Sequence, residues 1–156
     1  MYRKILVPVD GSPTAHAALG DAIALARLAG APLVLLNVVD AMEHINGFEC
    51  PAIYLGEVRP RFLAAARAML DALRDEAVAQ GVAAETVLVE SAGARVSELI
   101  VAQAQQSGAD LIVLGTHGRR GVDRLLIGSD AEQVARLAQV PVLLVRRTTG
   151  AAPPPR

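Results

Sequence analysis

The stretch KILVPVDGSP, residues 4–13, joins a short apolar run to a turn and a helix start. The run is bounded by a Gly-Ser-Pro turn, which is typical of a strand that is buried on both faces. Ser12 can cap a helix, and Pro13 suits the first helical position. The stretch therefore predicts a strand over Lys4–Asp10 that leads directly into a helix, with strand pairing that finishes near Pro8.

The same alternation of strand and helix continues along the chain. Apolar segments predict further strands at residues 32–40, 85–91, 109–115 and 140–146, and helices at about 61–80, 95–106 and 129–138. Continuous apolar strands indicate burial on both faces, so the sequence predicts a single α/β domain with an open parallel sheet and helices on both sides. We expect this domain to span residues 1–146 and the proline-rich tail, residues 147–156, to be disordered.

The connection after the second predicted strand is unusually long. Residues 41–60 contain an Asn-Gly pair, a further glycine and two prolines. A segment of this length indicates a functional flap or a mobile loop. The helix after it is expected to begin at about Arg61 and to turn one apolar stripe toward the core, formed by Phe62, Ala66, Met69, Leu73 and Ala77.

Composition narrows the classes of function. The 156 residues carry a net charge of −1, include no Trp and are 3% aromatic, so neither nucleic acid nor an anionic membrane is an expected partner. No apolar run reaches membrane length and no signal peptide is visible, so we expect a cytoplasmic protein. The single cysteine, Cys50, excludes an intramolecular disulfide and offers no zinc-site spacing.

The most unusual stretch is GTHGRRGVDRLLIGS, residues 115–129, which places four glycines and three arginines between a strand and a helix. Amides in the first turn of that helix lack helical partners and carry the positive end of the helix dipole, which makes them a candidate phosphate site. Ser129 to Glu132 also has the pattern of a capping box, in which Ser129 needs no ligand. On the residues alone both interpretations stay open, since the spacing is neither a P-loop nor a dinucleotide fingerprint.

Ligands of open parallel sheets bind beyond the carboxyl ends of the strands, where the strand order reverses. Three predicted strand ends therefore matter, at residues 9–11, 38–40 and 114–116. The glycine-rich stretch starts at the last of them.

The segment Gly115-x2-Gly118-x9-Gly128-Ser129 resembles the nucleotide-binding signature of universal stress proteins, G-x2-G-x9-G-[S/T]. KILVPVDGS resembles the family's first strand and turn, and ADLIVLGTHGRRGVDRLLIGS with VPVLLVR resembles its last third. The resemblance spans about Tyr2 to Arg146 and is weakest in residues 41–60. It implies a flavodoxin-like sheet in the order 3-2-1-4-5, and, for members with the glycine signature, binding of ATP or another adenine nucleotide.

Carried over by position, the resemblance implies roles for individual residues. Pro8, Asp10 and Val38 would line the adenine and ribose pocket, and Gly115 would lie by the ribose. The phosphates would be held by Gly118, Gly128, Ser129 and the amide of Asp130. Mg²⁺ or Mn²⁺ would accompany ATP, with Asp10 or Asp130 as candidate metal contacts. Further candidate phosphate contacts are Arg119, Arg120 and Arg124.

Two of these carboxylates have a second interpretation. Asp10 can equally be an N-terminal cap of the first helix. Asp130 stands where family members often have Val, and a carboxylate in a first helical turn is favourable without any ligand. Facing a triphosphate it would be repulsive unless a metal ion lay between them.

Three functions are compatible with these features. The favoured one is a dimeric regulatory protein of the stress response, in which bound nucleotide shifts a dimer or partner interface. The dimer would form through the open apolar edge of the last strand, Val140 to Arg146. The second is a slow Mg²⁺-dependent ATPase, although Asp10, Asp40, His117 and the arginines stand at no recognisable catalytic spacing. The third is a dimeric interaction protein that binds no nucleotide.

Overall fold

A computed structural model of the chain describes residues 1–40, 51–116 and 127–146. Its strands are β1 (Ile5–Pro8), β2 (Leu33–Asp40), β3 (Ala84–Ser91), β4 (Leu111–Gly115) and β5 (Val142–Val145). Its main helices are α1 (Pro13–Ala29), α2 (Arg59–Ala79), α3 (Val96–Ser107) and α4 (Ser129–Leu137). The five strands form one parallel sheet in the order β3-β2-β1-β4-β5, which confirms the expected fold class and strand order. The predicted tail, residues 147–156, lies outside the described residues.

The sheet separates two apolar layers, because successive side chains of a strand point to opposite faces. On one face, Ile5 and Val7 of β1 and Leu33 and Leu35 of β2 pack with α1 and α2. On the other face, the intervening residues of the same strands pack with α3 and α4. The central strands are therefore buried on both faces, as their continuous apolar sequence predicts.

The start of α1 follows its local sequence signals. Ser12 is the N-cap, its hydroxyl accepts a hydrogen bond from the Ala15 N–H at 3.1 Å, and Pro13 occupies the first helical position. Gly30 ends the helix with a φ of +65°, a conformation that favours glycine. These bonds fix α1 directly after β1, so the helix begins at the carboxyl edge of the sheet.

The second long helix starts at Arg59, close to the expected position at about Arg61, but the irregular segment predicted before it is wrong over residues 51–58. The helical path begins ahead of this helix with a short turn, Pro51–Ile53, and a π-helical turn, Tyr54–Val58, that runs into α2. The Arg59 N–H donates to the Tyr54 carbonyl oxygen and closes the wider turn. Pro60 lies in the first turn of α2, where proline is tolerated, so it does not act as a helix breaker. Residues 41–50 lie outside the described part of the chain.

The inward face of α2 differs from its predicted stripe at Phe62. Ala66, Leu70 and Ala77 are buried, and Met69 and Leu73 pack partly buried against the core. Phe62 is 37% exposed, so its predicted core position is wrong.

At the opposite edge of the sheet, Asp110 fixes the start of β1. Its carboxylate accepts hydrogen bonds from the backbone N–H groups of Arg3 and Lys4, at 3.0 and 3.1 Å. Burial raises the pKa of this carboxyl, but the N–H groups of Lys4 and Arg3 and the Arg3 guanidinium together hold that pKa below its ordinary value of 3.8. The ionised form of Asp110 is thus the one that stabilises the fold. Within residues 1–40, 51–116 and 127–146, no helix is long and apolar enough to cross a membrane.

Candidate functional site

A cleft of about 770 Å³ opens at the carboxyl edge of the sheet. The ends of β1, β2 and β4 form its floor, and the starts of α1, α2, α3 and α4 form its walls. β1 and β4 are neighbours in the sheet although they are far apart in sequence, so the strand order reverses between them. The cleft therefore lies where open parallel sheets bind their ligands.

The turn after β1 is held by two short side chains. Asp10 Oδ1 accepts a hydrogen bond from the Ser12 N–H at 2.8 Å, and Ser12 in turn caps α1. The cap is therefore Ser12, whereas Asp10 stabilises the turn before it. Asp10 is partly exposed and lines the cleft.

Gly115, at the end of β4, has a packing reason to be glycine. A Cβ at this position would lie 2.8 Å from Thr14 Cγ2 and 3.0 Å from both the carbonyl carbon and the carbonyl oxygen of Thr14. Contacts below 3.0 Å force a shift, and the backbone of Thr14 at the start of α1 has little freedom to move. The first glycine of the signature thus allows α1 to approach β4.

The predicted capping box at the start of α4 is wrong. The N-cap is Gly128, with φ −59° and ψ 149°, and no side chain forms a cap hydrogen bond. The Gly128 N–H donates to the Thr116 carbonyl oxygen at 2.7 Å, and the Thr116 N–H donates to the Val145 carbonyl oxygen. These bonds place the N-cap of the helix one residue before Ser129. Glu132, the expected partner of Ser129, instead pairs with Arg136 at 2.8 Å.

The first turn of α4 presents amides to the cleft. The first intrahelical bond runs from the Glu132 N–H to the Gly128 carbonyl oxygen at 3.0 Å. The N–H groups of Ser129, Asp130 and Ala131 precede this bond in the helix, and all three residues line the cleft. Such a set of amides, at the positive end of a helix dipole, suits an anion.

The cleft brings together most of the residues that the resemblance assigns to nucleotide. Seven of the eight line it: Pro8, Asp10, Val38, Gly115, Gly128, Ser129 and Asp130. Gly118, the eighth, lies outside the described residues, as do the candidate phosphate contacts Arg119, Arg120 and Arg124.

Three further residues line the cleft that are not among the nucleotide contacts implied by the resemblance: Asn37, Thr116 and Phe62. Asn37 is 5% exposed and its side-chain amide donates to the Val9 carbonyl oxygen at 2.7 Å. Thr116 is 1% exposed and anchors the start of α4. Phe62 stands at the wall formed by α2. A polar residue in the apolar run PLVLLNVVD was the one available signal, and it pointed to Asn37.

Three acidic residues of the cleft are candidate contacts for a metal ion. Asp10, Asp40 and Asp130 line it, but the described residues contain no group of three carboxylates, histidines or cysteines that could hold a metal together. Mg²⁺ usually binds through one or two carboxylates plus substrate phosphates. Asp10 or Asp130 could therefore contact a metal ion that binds together with a phosphate. Such a metal ion would neutralise part of the phosphate charge.

The chain is similar to known proteins in both sequence and fold. Universal stress protein YxiE of Bacillus subtilis is 31% identical over 94% of this chain and 100% of its own length. The solved structure of hypothetical protein MJ0577, of Methanocaldococcus jannaschii, is 29% identical, with a TM-score of 0.81 over 96% of this chain and 99% of that chain.

A universal stress protein solved in complex with cAMP is 26% identical, with a TM-score of 0.66 over 93% of this chain and 97% of that chain. Residues 1–146 match the model of the universal stress protein family. The sheet order, the cleft at its carboxyl edge and these matches lead to one conclusion: the chain belongs to the universal stress protein family.

Proposed function

We propose that this protein binds an adenine nucleotide, ATP foremost, in the cleft at the carboxyl edge of the sheet. The observation that carries the proposal is the start of α4, where the amides of Ser129, Asp130 and Ala131 face a large cleft at the point of strand reversal. Phosphates bind readily to such amides. In this arrangement Ser129 and Asp130 hold the phosphates, while Pro8 and Val38 contact the base and ribose.

The backbone of Gly128 supports a ligand-related role for the third signature glycine. Its φ of −59° is accessible to any residue, so the conformation at Gly128 does not require glycine. A missing side chain here leaves room for a close approach to the backbone. The relative solved with cAMP adds support, because it holds an adenine nucleotide on a similar fold.

The same proposal assigns the protein a regulatory role in the cytoplasm as a dimer. β5 is an edge strand, and Leu143 on it is 38% exposed. An apolar edge strand favours pairing with a second copy. Nucleotide bound at the start of α4 would act on this edge, because the Gly128 N–H is bonded to Thr116 and the Thr116 N–H is bonded to Val145 of β5. The ligand shifts the dimer only if it binds the two states with different affinity.

A pair of substitutions at Ser129 tests the phosphate site. Ser129→Ala removes the hydroxyl and keeps the N–H, whereas Ser129→Pro removes both. Proline is tolerated at the first helical position, and Gly128 already has the extended backbone that a following proline requires. We expect ATP affinity, measured by calorimetry on nucleotide-stripped protein with Mg²⁺, to fall roughly 10- to 100-fold further in Ser129→Pro than in Ser129→Ala.

Equal affinities in the two variants, at unchanged unfolding midpoints, would exclude the Ser129 amide as a phosphate contact. No binding of ATP, ADP, AMP or cAMP by the unaltered protein would reject the whole proposal and favour a dimeric interaction protein. Steady release of ADP by the unaltered protein, lost in Ser129→Pro, would identify a slow ATPase.

A further inference from the structure

Strand β2 continues past the end of β1 at the cleft. β1 pairs with β2 as far as Pro8, which lies opposite Leu36, whereas β2 runs on to Asp40. In a parallel pair, the N–H and C=O groups of alternate residues face the neighbouring strand. The Val9 N–H donates to the Leu36 carbonyl oxygen at 2.8 Å, so the even-numbered residues of β2 are those that face β1. The N–H of Val38 therefore faces the space beyond β1, at the cleft that Val38 lines.

A side chain ends the ladder of hydrogen bonds between these two strands. In a regular parallel ladder, the next bond would run from the Val38 N–H to the Val9 carbonyl oxygen. That oxygen instead accepts a hydrogen bond from Asn37 Nδ2 at 2.7 Å. No backbone bond joins Val38 to Val9 in the described part of the chain. The Asn37 carboxamide thus takes the place of the Val38 N–H and leaves that N–H open to the cleft.

The bond from Asn37 to Val9 lies in the interior of the protein. Asn37 is 5% exposed and Val9 is 4% exposed. Val38 packs with the layer of Val34 and Leu36, so Asn37, as its neighbour in the strand, points to the opposite face of the sheet. A buried carbonyl oxygen requires a donor. Without the carboxamide, the donor nearest in register to the Val9 carbonyl oxygen is the Val38 N–H.

We propose that Asn37 is a positioning residue for the nucleotide site, because its bond to the Val9 carbonyl keeps the Val38 N–H available to the base. This role rests on the proposed function, in which Val38 contacts the base and ribose. The N–H can pair only with an acceptor, such as an unprotonated ring nitrogen of a purine. A side chain without a donor at position 37 would let β1 pair one residue further and would remove this contact.

Hydrogen exchange of the Val38 amide, measured by NMR on ligand-free protein, tests the effect of Asn37 on the ladder. We expect this amide to exchange faster than that of Leu36, which lies inside the paired register. In Asn37→Leu its exchange should slow on the order of ten-fold, because the Val9 carbonyl becomes its partner. Asn37→Ala removes the same donor with a different change in volume and should give the same result, so either variant decides if the other does not fold.

Two exchange results would overturn the inference. One is a Val38 amide that is as well protected as that of Leu36 in the unaltered protein. The other is unchanged exchange of the Val38 amide when Asn37 is replaced.

Nucleotide affinity tests the consequence for binding. ATP affinity, measured by calorimetry on nucleotide-stripped protein, should fall on the order of ten-fold in Asn37→Leu. Ser91→Ala is the matched control, because Ser91 is 3% exposed, its Oγ donates to the Ala94 carbonyl oxygen at 2.8 Å, and it does not line the cleft. This control also removes one side-chain bond to a carbonyl oxygen and should leave ATP affinity unchanged. An equal loss of affinity in both variants would assign the effect to general destabilisation and overturn the inference.

Failure of the proposed function and failure of this role give different results. If the unaltered protein binds no adenine nucleotide, the proposed function is rejected, and the role of Asn37 with it. If the unaltered protein and Asn37→Leu bind ATP equally well, the proposed function stands and the role of Asn37 alone is overturned.

Discussion

The N–H of Gly128 donates to the carbonyl oxygen of Thr116 at 2.7 Å, so the residue that follows β4 and the N-cap of α4 are joined by a hydrogen bond. This bond uses the amide of the third signature glycine. The amides left for an anion at this helix are those of Ser129, Asp130 and Ala131. The Gly128 N–H is therefore already bonded within the protein, and substitutions that test the amides of this helix are best made at the residues after Gly128.

Gly115→Ala should destabilise the fold. Its Cβ would lie 2.8 Å from Thr14 Cγ2 and 3.0 Å from the Thr14 backbone, so α1 must move away from β4. Overpacking of this kind costs about 1–3 kcal/mol of unfolding free energy, measurable by urea denaturation. Weaker nucleotide binding by this variant would therefore report a displaced helix as well as any lost ligand contact.

Gly20→Ala is the matched control for that substitution. Gly20 lies within α1, and a Cβ there would meet nothing within 4 Å. The same change should raise the unfolding free energy by about 0.5–1 kcal/mol, because alanine favours the helix over glycine. If Gly115→Ala matched Gly20→Ala in stability, the packing explanation for Gly115 would be wrong.

Asp130→Val should affect ligand-free stability and ATP affinity in opposite directions. Asp130 is exposed in the first turn of α4, where its charge stabilises the helix by about 0.3–1 kcal/mol. Removal of the charge should lower the unfolding free energy by that amount and raise ATP affinity in EDTA roughly two- to five-fold. In Mg²⁺ the gain should shrink. Asp130→Asn, of the same shape, should behave in the same way, and unchanged ATP affinity in EDTA would refute the role of charge.

Asp110 should make stability depend on pH in the acid range. Its folded pKa lies below the ordinary value of 3.8, so its contribution is complete above that value and is lost as the pH falls through the folded pKa. Asp110→Ala should cost about 1–3 kcal/mol at pH 7, because the amides of Arg3 and Lys4 lose a charged acceptor. Urea midpoints measured from neutral to acid pH should show this difference narrowing below pH 3.8.

Asp75→Asn is the control for the acid dependence. Its carboxylate is 71% exposed and pairs with Arg74 on the surface of α2, at 3.0 Å. Exposed pairs of this kind contribute about 0–1 kcal/mol, so the variant should follow the unaltered protein closely at every pH. A constant deficit of Asp110→Ala down to the lowest pH would show that its role is packing rather than charge.

Leu143→Lys tests the proposed dimer. Leu143 is 38% exposed on the edge strand β5, and a charge there opposes edge-to-edge pairing. We expect the unaltered protein to sediment as a dimer and the variant as a monomer with a similar unfolding midpoint. Leu137→Lys is the control, because it adds the same charge at a residue that is 47% exposed on α4 and does not belong to the edge strand. A monomeric unaltered protein, or a dimer in both variants, would reject pairing through β5.

Most of the fold was predictable because its signals are local. The apolar strands, Ser12 with Pro13 at the start of α1, and Gly30 at its end all act through their immediate neighbours. The helical turns over residues 51–58, before the second long helix, were not predictable in this way. Pro51, Gly56 and Pro60 suggested an irregular segment without helix. The backbone over residues 51–58 instead forms helical turns.

The candidate site, too, was predictable only where its signals are local in the sequence. The amides of α4 follow from a glycine-rich stretch between a strand and a helix, so the sequence predicted them. The capping box failed because Thr116 determines where α4 begins, and nothing in residues 129–132 reveals that bond. Asn37 and Phe62 were not predicted as cleft residues, because both reach the cleft only when α2 packs beside β2.

The opposite orientations of Asn37 and Val38 limit how β2 can change in length. Deleting one residue before this pair would turn every following side chain of the strand to the other face, and the carboxamide would enter the layer of Val34 and Leu36. Two-residue insertions or deletions preserve the faces and would be compensated at the loops. Natural variation in homologous chains should therefore change the length of this strand in even steps, whereas the connections at its two ends are under no such restriction.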